Sequence, residues 1–351
     1  MEKGRNNLLY VSVNDGSEPR ICKEIESLAR DFEIYYIGIG ASEDISFAKK
    51  WTKEFNLAIG NHRSSLCLLK YYVLFLKVFF KRNYHSIHIV NEQNYILFIP
   101  ILIFKKQVVL DIFDSYFLKN KNHFVNRILK DLIYSRVKKI VVTDENRLLL
   151  IPEKYRSKCV VIENYPKRVL KYSGKVNNNA KVITIFYYGN IHINRGTEFM
   201  MEVARVYGTE VKIKIAGWLY DEASRSLARM SGVEYLGILT QQDALNVASN
   251  ADFLLCLYKP KSLNDIYASP NKIYDSIQVE TPVIINREVL IAEFVERYNL
   301  GIVIDSFYSV TIDTFLKTMK EFLSTYHIES SMKERYCWES IESKLLEVHN
   351  I

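Results

Sequence analysis

The segment Asp252–Ile285, DFLLCLYKPKSLNDIYASPNKIYDSIQVETPVII, decides how this chain is read. DFLLCLY has the continuous apolar character of a buried strand and KPKSLNDI that of a loop. PNKIYDSIQVE reads as a helix with Ser269 as N-cap and Pro270 at its first position, and PVII as the next strand. Strand, helix and strand in quick succession form a βαβ unit, which demands a parallel sheet. Ligands of such sheets lie beyond the carboxyl ends of the strands, where helix N-termini point. This helix start presents Pro270, Asn271 and Lys272, with Asp275 following on the same face. A lysine at a helix N-terminus suits a diphosphate, and the carboxylate suits the hydroxyls of an adjoining ribose. The plainer reading of the same residues is a helix start carrying a solvated lysine.

The pattern extends in both directions. Before residue 166, strand-like runs occur at LLYVSV, EIYYIGI, SIHIV, QVVLDIF, KIVVT and CVVIEN, separated by amphipathic stretches such as RICKEIESLARDF and HFVNRILKDLIYSRV. After residue 181 the runs are VITIFYYG, VKIKIAG, VEYLG, DFLLCLY, PVIIN and GIVID. Apolar strands alternating with helices predict an α/β chain with two doubly covered parallel sheets. The polar stretch KRVLKYSGKVNNNAK marks a linker at 166–181. The expected domains are therefore 1–165 and 182–330, with 331–351 as a C-terminal helix returning to the first domain.

The chain has 351 residues, 48% hydrophobic and 25% charged, which excludes disordered and low-complexity classes. Five scattered cysteines without a CxxC pair read as reduced core thiols, and the short apolar run after the N-terminus reads as a first strand and not a leader. The expected location is cytoplasmic. Net charge is +7, but residues 1–165 hold 26 Lys and Arg against 18 Asp and Glu, and the remainder 21 against 22. The excess positive charge thus lies in the first half, which suits either a solvated basic face or an anionic partner such as a lipid phosphate. No nucleic-acid signature accompanies it.

Residues 65–82, SLCLLKYYVLFLKVFFKR, are apolar around most of a helical wheel, with Lys70, Lys77 and Lys81 within about 40° of one another. YILFIPILIF at 95–104 is similarly apolar but broken by Pro100. Both are too short or too charged to span a bilayer. Two readings stand: core helices, or a peripheral contact with the inner face of a membrane through 65–82.

A second loop of interest is FYYGNIHINRGTEFM. A strand ends at Gly189 and Asn190, and Arg195-Gly196-Thr197 leads into a helix, placing a phosphate-binding residue type at a helix start. At this point the chain resembles the nucleotide-sugar glycosyltransferases of family 4, which have the GT-B architecture of two facing Rossmann-like domains with a cleft between them. The resemblance runs through PRICKEIESL, LDIFDSY, IVVTDENRLLL, VIENYP, YYGNIHINRG, IKIAGW, VEYLGILTQQD, SPNKIYD and RYCWES. It implies that Arg195 contacts the donor diphosphate and that Asp275 binds ribose. Asn190 and Tyr267 stand where many members have an arginine and a glutamate, making this a P-N-K variant of the donor motif. Gly217, together with Gly237 and Leu239 in the loop beside the base, completes the implied donor side with Gly189, Pro270, Asn271 and Lys272.

The resemblance further implies transfer of a sugar from a nucleoside-diphosphate donor, UDP or GDP, with retention of configuration and with neither cofactor nor metal. Its acceptor would be a glycan, lipid-linked through polyprenyl diphosphate, in bacterial surface polysaccharide synthesis. Arg195 and Lys272 would meet the leaving-group charge. On the acceptor side, Asn14, Asn91, Glu92, Asp111 and Asp114 end first-domain strands, and Asp114 is the candidate to orient or deprotonate the acceptor hydroxyl. His88, inside SIHIV, reads as a core histidine. The competing readings are a non-catalytic partner subunit of the same fold and a nucleotide-sugar 2-epimerase.

Overall fold

A computed structural model of the chain describes residues 5–41, 47–119, 123–169, 182–308 and 312–350. From residue 170 onward, the linker expected at 166–181 lies outside the described residues. Two compact units emerge: Met1–Glu163 with Ile341–Ile351, and Asn164–Ser340.

In the first unit, seven parallel strands lie in the order β3-β2-β1-β4-β5-β6-β7. They are β1 (Asn6–Val11), β2 (Phe32–Gly40), β3 (Glu54–Ile59), β4 (Ser86–Val90), β5 (Val108–Ile112), β6 (Lys139–Val142) and β7 (Cys159–Val161). β3, EFNLAI, carries no strong strand signal in the sequence; Glu54 and Asn56 break its apolar run, and it forms at the sheet edge by pairing with β2. One core face packs Leu9, Ile37, Ile89 and Leu110 against Tyr71, Phe75 and Tyr95 from covering helices.

The apolar segment 65–82 forms the helix Ser65–Lys81. Cys67, Tyr71, Phe75, Val78 and Phe79 bury one stripe, spaced three to four residues apart as helix geometry requires. The opposite side leaves Leu66, Leu69, Val73 and Phe80 exposed beside Lys70, Lys77 and Lys81. The helix is thus core on one side only. Residues 95–104 divide into the helices Glu92–Leu97 and Ile99–Leu102, with Pro100 in the first turn of the second. Among the described residues, no helix is long and apolar enough to cross a membrane.

The second unit has six parallel strands in the order β10-β9-β8-β11-β12-β13. These are β8 (Ile183–Ile191), β9 (Val211–Leu219), β10 (Val233–Tyr235), β11 (Phe253–Cys256), β12 (Val283–Asn286) and β13 (Gly301–Ile304). All six match strand-like runs in the sequence. The order reverses direction at β8 and β11, so helix starts following those two strands gather at the place where such sheets bind ligands.

Candidate functional site

Two helices begin at that reversal. The helix Thr197–Tyr207 follows β8, entered through Gly196 at φ 78°; a Cβ there would sit 3.0 Å from Leu257, so glycine serves both the left-handed turn and the close packing. The helix Asn271–Val279 follows β11. Its N-cap is Pro270, not Ser269, whose hydroxyl lies 3.3 Å from the Tyr274 hydroxyl. Neither helix has a side-chain cap bond at its N-terminus, and uncapped first-turn N–H groups suit an anion.

Lys272 is 8% exposed. Its ammonium lies 4.5 Å from the ring centre of Tyr187 and 5.0 Å from that of Tyr188. Among the described residues, it has no carboxylate within ion-pair distance and no hydrogen-bond acceptor. Burial pushes its pKa below the ordinary lysine value, and nearby Arg195 adds to the same effect against the opposing charges of Cys256 and Asp275. A cation held this way, over two aromatic faces, is poised for an external anion. Gly189 leaves the approach open: a Cβ at that position would come within 4.0 Å of the Lys272 ammonium.

Arg195, at the end of a short 3₁₀ turn, is placed differently. Its guanidinium carbon is 3.8 Å from the Tyr258 ring centre, and both terminal nitrogens donate to Asp265 Oδ1 at 3.3 Å. Asp275 is 2% exposed and accepts a 2.5 Å hydrogen bond from the Tyr188 hydroxyl. Gly217 sits opposite Gly189 in the β8–β9 pair, where a Cβ on Gly217 would fall 1.9 Å from the Gly189 carbonyl oxygen; the two strands meet this closely only because Gly217 lacks a side chain. Gly237, at φ 73°, accepts from the Gly217 N–H at 2.7 Å and opens the turn carrying half-buried Leu239.

The structure therefore brings Gly189, Arg195, Gly217, Lys272 and Asp275 to one end of the second sheet. Exposed Asn190 uses its carbonyl to accept from the Tyr187 hydroxyl, and Asn271 accepts from Asn164 at 2.7 Å. Tyr267 closes the single-turn helix Leu263–Ile266 and is half-buried. Tyr188, Tyr258 and Asp265 escaped the sequence reading. Tyr188 adjoins Gly189 and could have been found there, whereas Asp265 lies 70 residues from Arg195 and only folding pairs them.

Most acceptor-side candidates of the first unit turn out to bind their own fold. Asp111, next to last in β5, is 0% exposed and bound by Arg20 at 3.1 Å, so its side chain serves the interior and does not open to solvent at the strand end. Burial raises its pKa well above the usual carboxylate range despite Arg20, whereas for neighbouring Glu24 burial is outweighed by Arg20 and the direction is downward. Glu92 is also fully buried and accepts from Ser115, the Tyr116 N–H and Tyr134. Asn91 ties down the following loop through the N–H groups of Phe113 and Asp114, and Asn14 accepts from those of Gly16 and Glu18. Asp114 remains solvent-reaching at 57% exposure, with Arg147 at 3.6 Å. His88 is fully buried, as expected of a core histidine. Glu24, His88 and Asp111 bring ligand-type atoms within 4.8 Å of one another, but Arg20 already supplies the cation there, 2.7 Å from Glu24.

Residues 185–327 match the family described as "Glucosyltransferase 3-like, C-terminal domain". No curated protein matches the chain. Among solved structures, sucrose-phosphate synthase from Thermosynechococcus elongatus is similar at TM-score 0.74 and 14% identity, covering 98% of both chains. HepE from Anabaena, in complex with UDP and glucose, is similar at TM-score 0.71 and 12% identity, covering 98% of this chain and 99% of that one. The lipopolysaccharide outer core galactosyltransferase WaaB follows at TM-score 0.65 and 12% identity, covering 97% and 98%. At these identities the likeness establishes the fold, an α/β chain of GT-B type with two Rossmann-like domains.

Proposed function

We propose that the chain is a glycosyltransferase using a nucleoside-diphosphate sugar, with the donor bound at the end of the second sheet. The observation that carries this reading is Lys272, a buried cation without a carboxylate partner among the described residues, at an uncapped helix start beside Arg195. Lys272 and Arg195 would receive the diphosphate, Asp275 the ribose, and the turn at Gly237–Thr240 the base. The match of residues 185–327 and the UDP and glucose held by HepE support a hexose donor on UDP.

In this reading the chemical step breaks the bond between the sugar's anomeric carbon and the diphosphate oxygen. Negative charge grows on that oxygen, where Lys272, Arg195 and the first-turn N–H groups stabilise it without help from a metal. Retention of configuration belongs to the same proposal, with Asp114 the one carboxylate among the candidates Glu92, Asp111 and Asp114 that is exposed to an acceptor hydroxyl. A lipid-linked acceptor in bacterial surface glycan assembly is supported by the exposed apolar and cationic side of helix Ser65–Lys81. Arg63, Lys70, Lys77, Lys105 and Lys106 lie between residues 55 and 110, where the one acidic residue is the buried Glu92; Lys81 and Arg82 of the same stretch pair with Glu54 at its edge. The name of WaaB points the same way.

Calorimetry of the purified chain with UDP, GDP, CMP and dTDP, and with their sugars, tests the donor reading. Binding of one nucleotide, abolished in Lys272→Ala, is expected, because a ligand specific for the native state also raises its stability. Failure of every nucleotide to bind would refute it. Consumption of donor without acceptor, yielding an isomeric nucleotide sugar, would identify an epimerase; binding without any turnover would identify a partner subunit.

A further inference from the structure

The two cations of the candidate site differ in one respect: among the described residues, Arg195 carries its own counter-anion and Lys272 does not. Asp265 Oδ1 accepts from both terminal nitrogens of Arg195 at 3.3 Å, an end-on pair on a single oxygen. A strong carboxylate–guanidinium pair is two-pronged and shorter, near 2.8 Å as a rough guide. The other oxygen, Oδ2, is fixed by the Ser262 hydroxyl at 2.7 Å. Ser262 precedes the single-turn helix Leu263–Ile266, so the carboxylate is anchored to its own turn and does not depend on Arg195 for its position. The guanidinium has an independent support in the Tyr258 ring. Arg195 and Asp265 are 21% and 19% exposed, so the charges are only partly screened.

We propose that Asp265 is an exchangeable counter-anion for Arg195. It neutralises and orients the guanidinium before a diphosphate arrives, then yields it to the phosphate while staying close by. A retained carboxylate beside a bound phosphate repels it, so Asp265 weakens the grip on the diphosphate and favours release of the spent nucleotide. Asp265 is in this sense a positioning residue with an electrostatic effect on the leaving group. The inference rests on the diphosphate reading given above and adds the element that limits its affinity.

Asp265→Asn keeps the side chain's shape and its bond to Ser262 while removing the charge. Its dissociation constants for UDP and for inorganic pyrophosphate, compared with those of the unaltered chain at two salt concentrations, are expected to fall by roughly three- to thirtyfold, most strongly at low salt. Asp265→Glu, which keeps the charge, should bind as the unaltered chain does. Equal or weaker binding by Asp265→Asn, with its melting temperature unchanged, would overturn the proposal and leave Asp265 as a plain support for Arg195. Product inhibition supplies a second readout: the variant should show a lower inhibition constant for the nucleotide, whereas a merely structural role would raise KM without that change. If the unaltered chain bound no nucleotide but the variant gained affinity for pyrophosphate, the donor reading would fail while the counter-anion would stand.

Discussion

The hydroxyl of Tyr188, in the second half of β8, donates a 2.5 Å hydrogen bond to the Asp275 carboxylate in the helix that follows β11. Asp275 is 2% exposed, so this bond satisfies one oxygen of a buried carboxylate and ties β8 to the helix Asn271–Val279. Tyr188→Phe should destabilise the chain by about 1–3 kcal/mol, the range for losing a hydrogen bond to a buried charged group. It should also weaken UDP binding several-fold while leaving pyrophosphate binding unchanged, because the affected carboxylate faces the ribose in the proposed site. Urea unfolding and calorimetry measure the two effects. An equal loss for UDP and pyrophosphate would show that Tyr188 acts on the phosphate side.

Lys272 poses the opposite balance, a buried charge without a carboxylate partner among the described residues. Lys272→Met preserves the volume over Tyr187 and Tyr188 and removes the cost of desolvating an ammonium. Thermal stability should rise or stay level, while nucleotide affinity falls by about 10- to 100-fold, corresponding to a lost charge-assisted hydrogen bond. A destabilised variant that binds nucleotide normally would mean that Lys272 serves the fold.

His349 sets a pH dependence in the first unit. Its ring is fully buried, contacting Ser86 Oγ at 2.6 Å and His88 Nδ1 at 3.1 Å, while its carbonyl accepts from His85 at 3.2 Å. Burial first, then the neighbouring His88, Lys138 and His85, hold its pKa well below 6.5, against the opposing charge of Glu24. The folded chain therefore keeps this ring neutral where the unfolded chain takes up a proton. The resulting stability is intact above about pH 6.5 and is lost as pH falls below it, by up to about 1.4 kcal/mol per pH unit. His349→Asn should be less stable at neutral pH yet show a shallower loss on acidification. Urea midpoints across that range would read the difference, and parallel curves for the two proteins would contradict it.

The exposed side of helix Ser65–Lys81 predicts association with anionic lipid. The chain should float with phosphatidylglycerol vesicles and not with phosphatidylcholine, and added salt should release it, as expected for apolar contact reinforced by charge. Replacing both Leu69 and Phe80 with Glu should abolish flotation without lowering the melting temperature, since both side chains already face solvent. Flotation unaffected by these substitutions would place the membrane contact elsewhere.

Periodicity and composition determined the α/β class, every strand of the second sheet and the helix Asn271–Val279 with Lys272 in its first turn, because local propensity and burial pattern are written in neighbouring residues. They also singled out Gly189, Arg195 and Asp275, which stand within β8, in the turn after it and in the helix Asn271–Val279, all at one end of the second sheet. Tertiary structure alone decided that β3 exists, since an edge strand with two polar breaks forms by pairing with β2. It alone turned Asp111 and Glu92 inward, where Arg20 and Tyr134 bind them, and it alone set Asp265 against Arg195 and Tyr188 against Asp275. Such pairings join residues tens of positions apart, and the burial that makes an ion or hydrogen bond decisive comes into being only when the sheets are assembled.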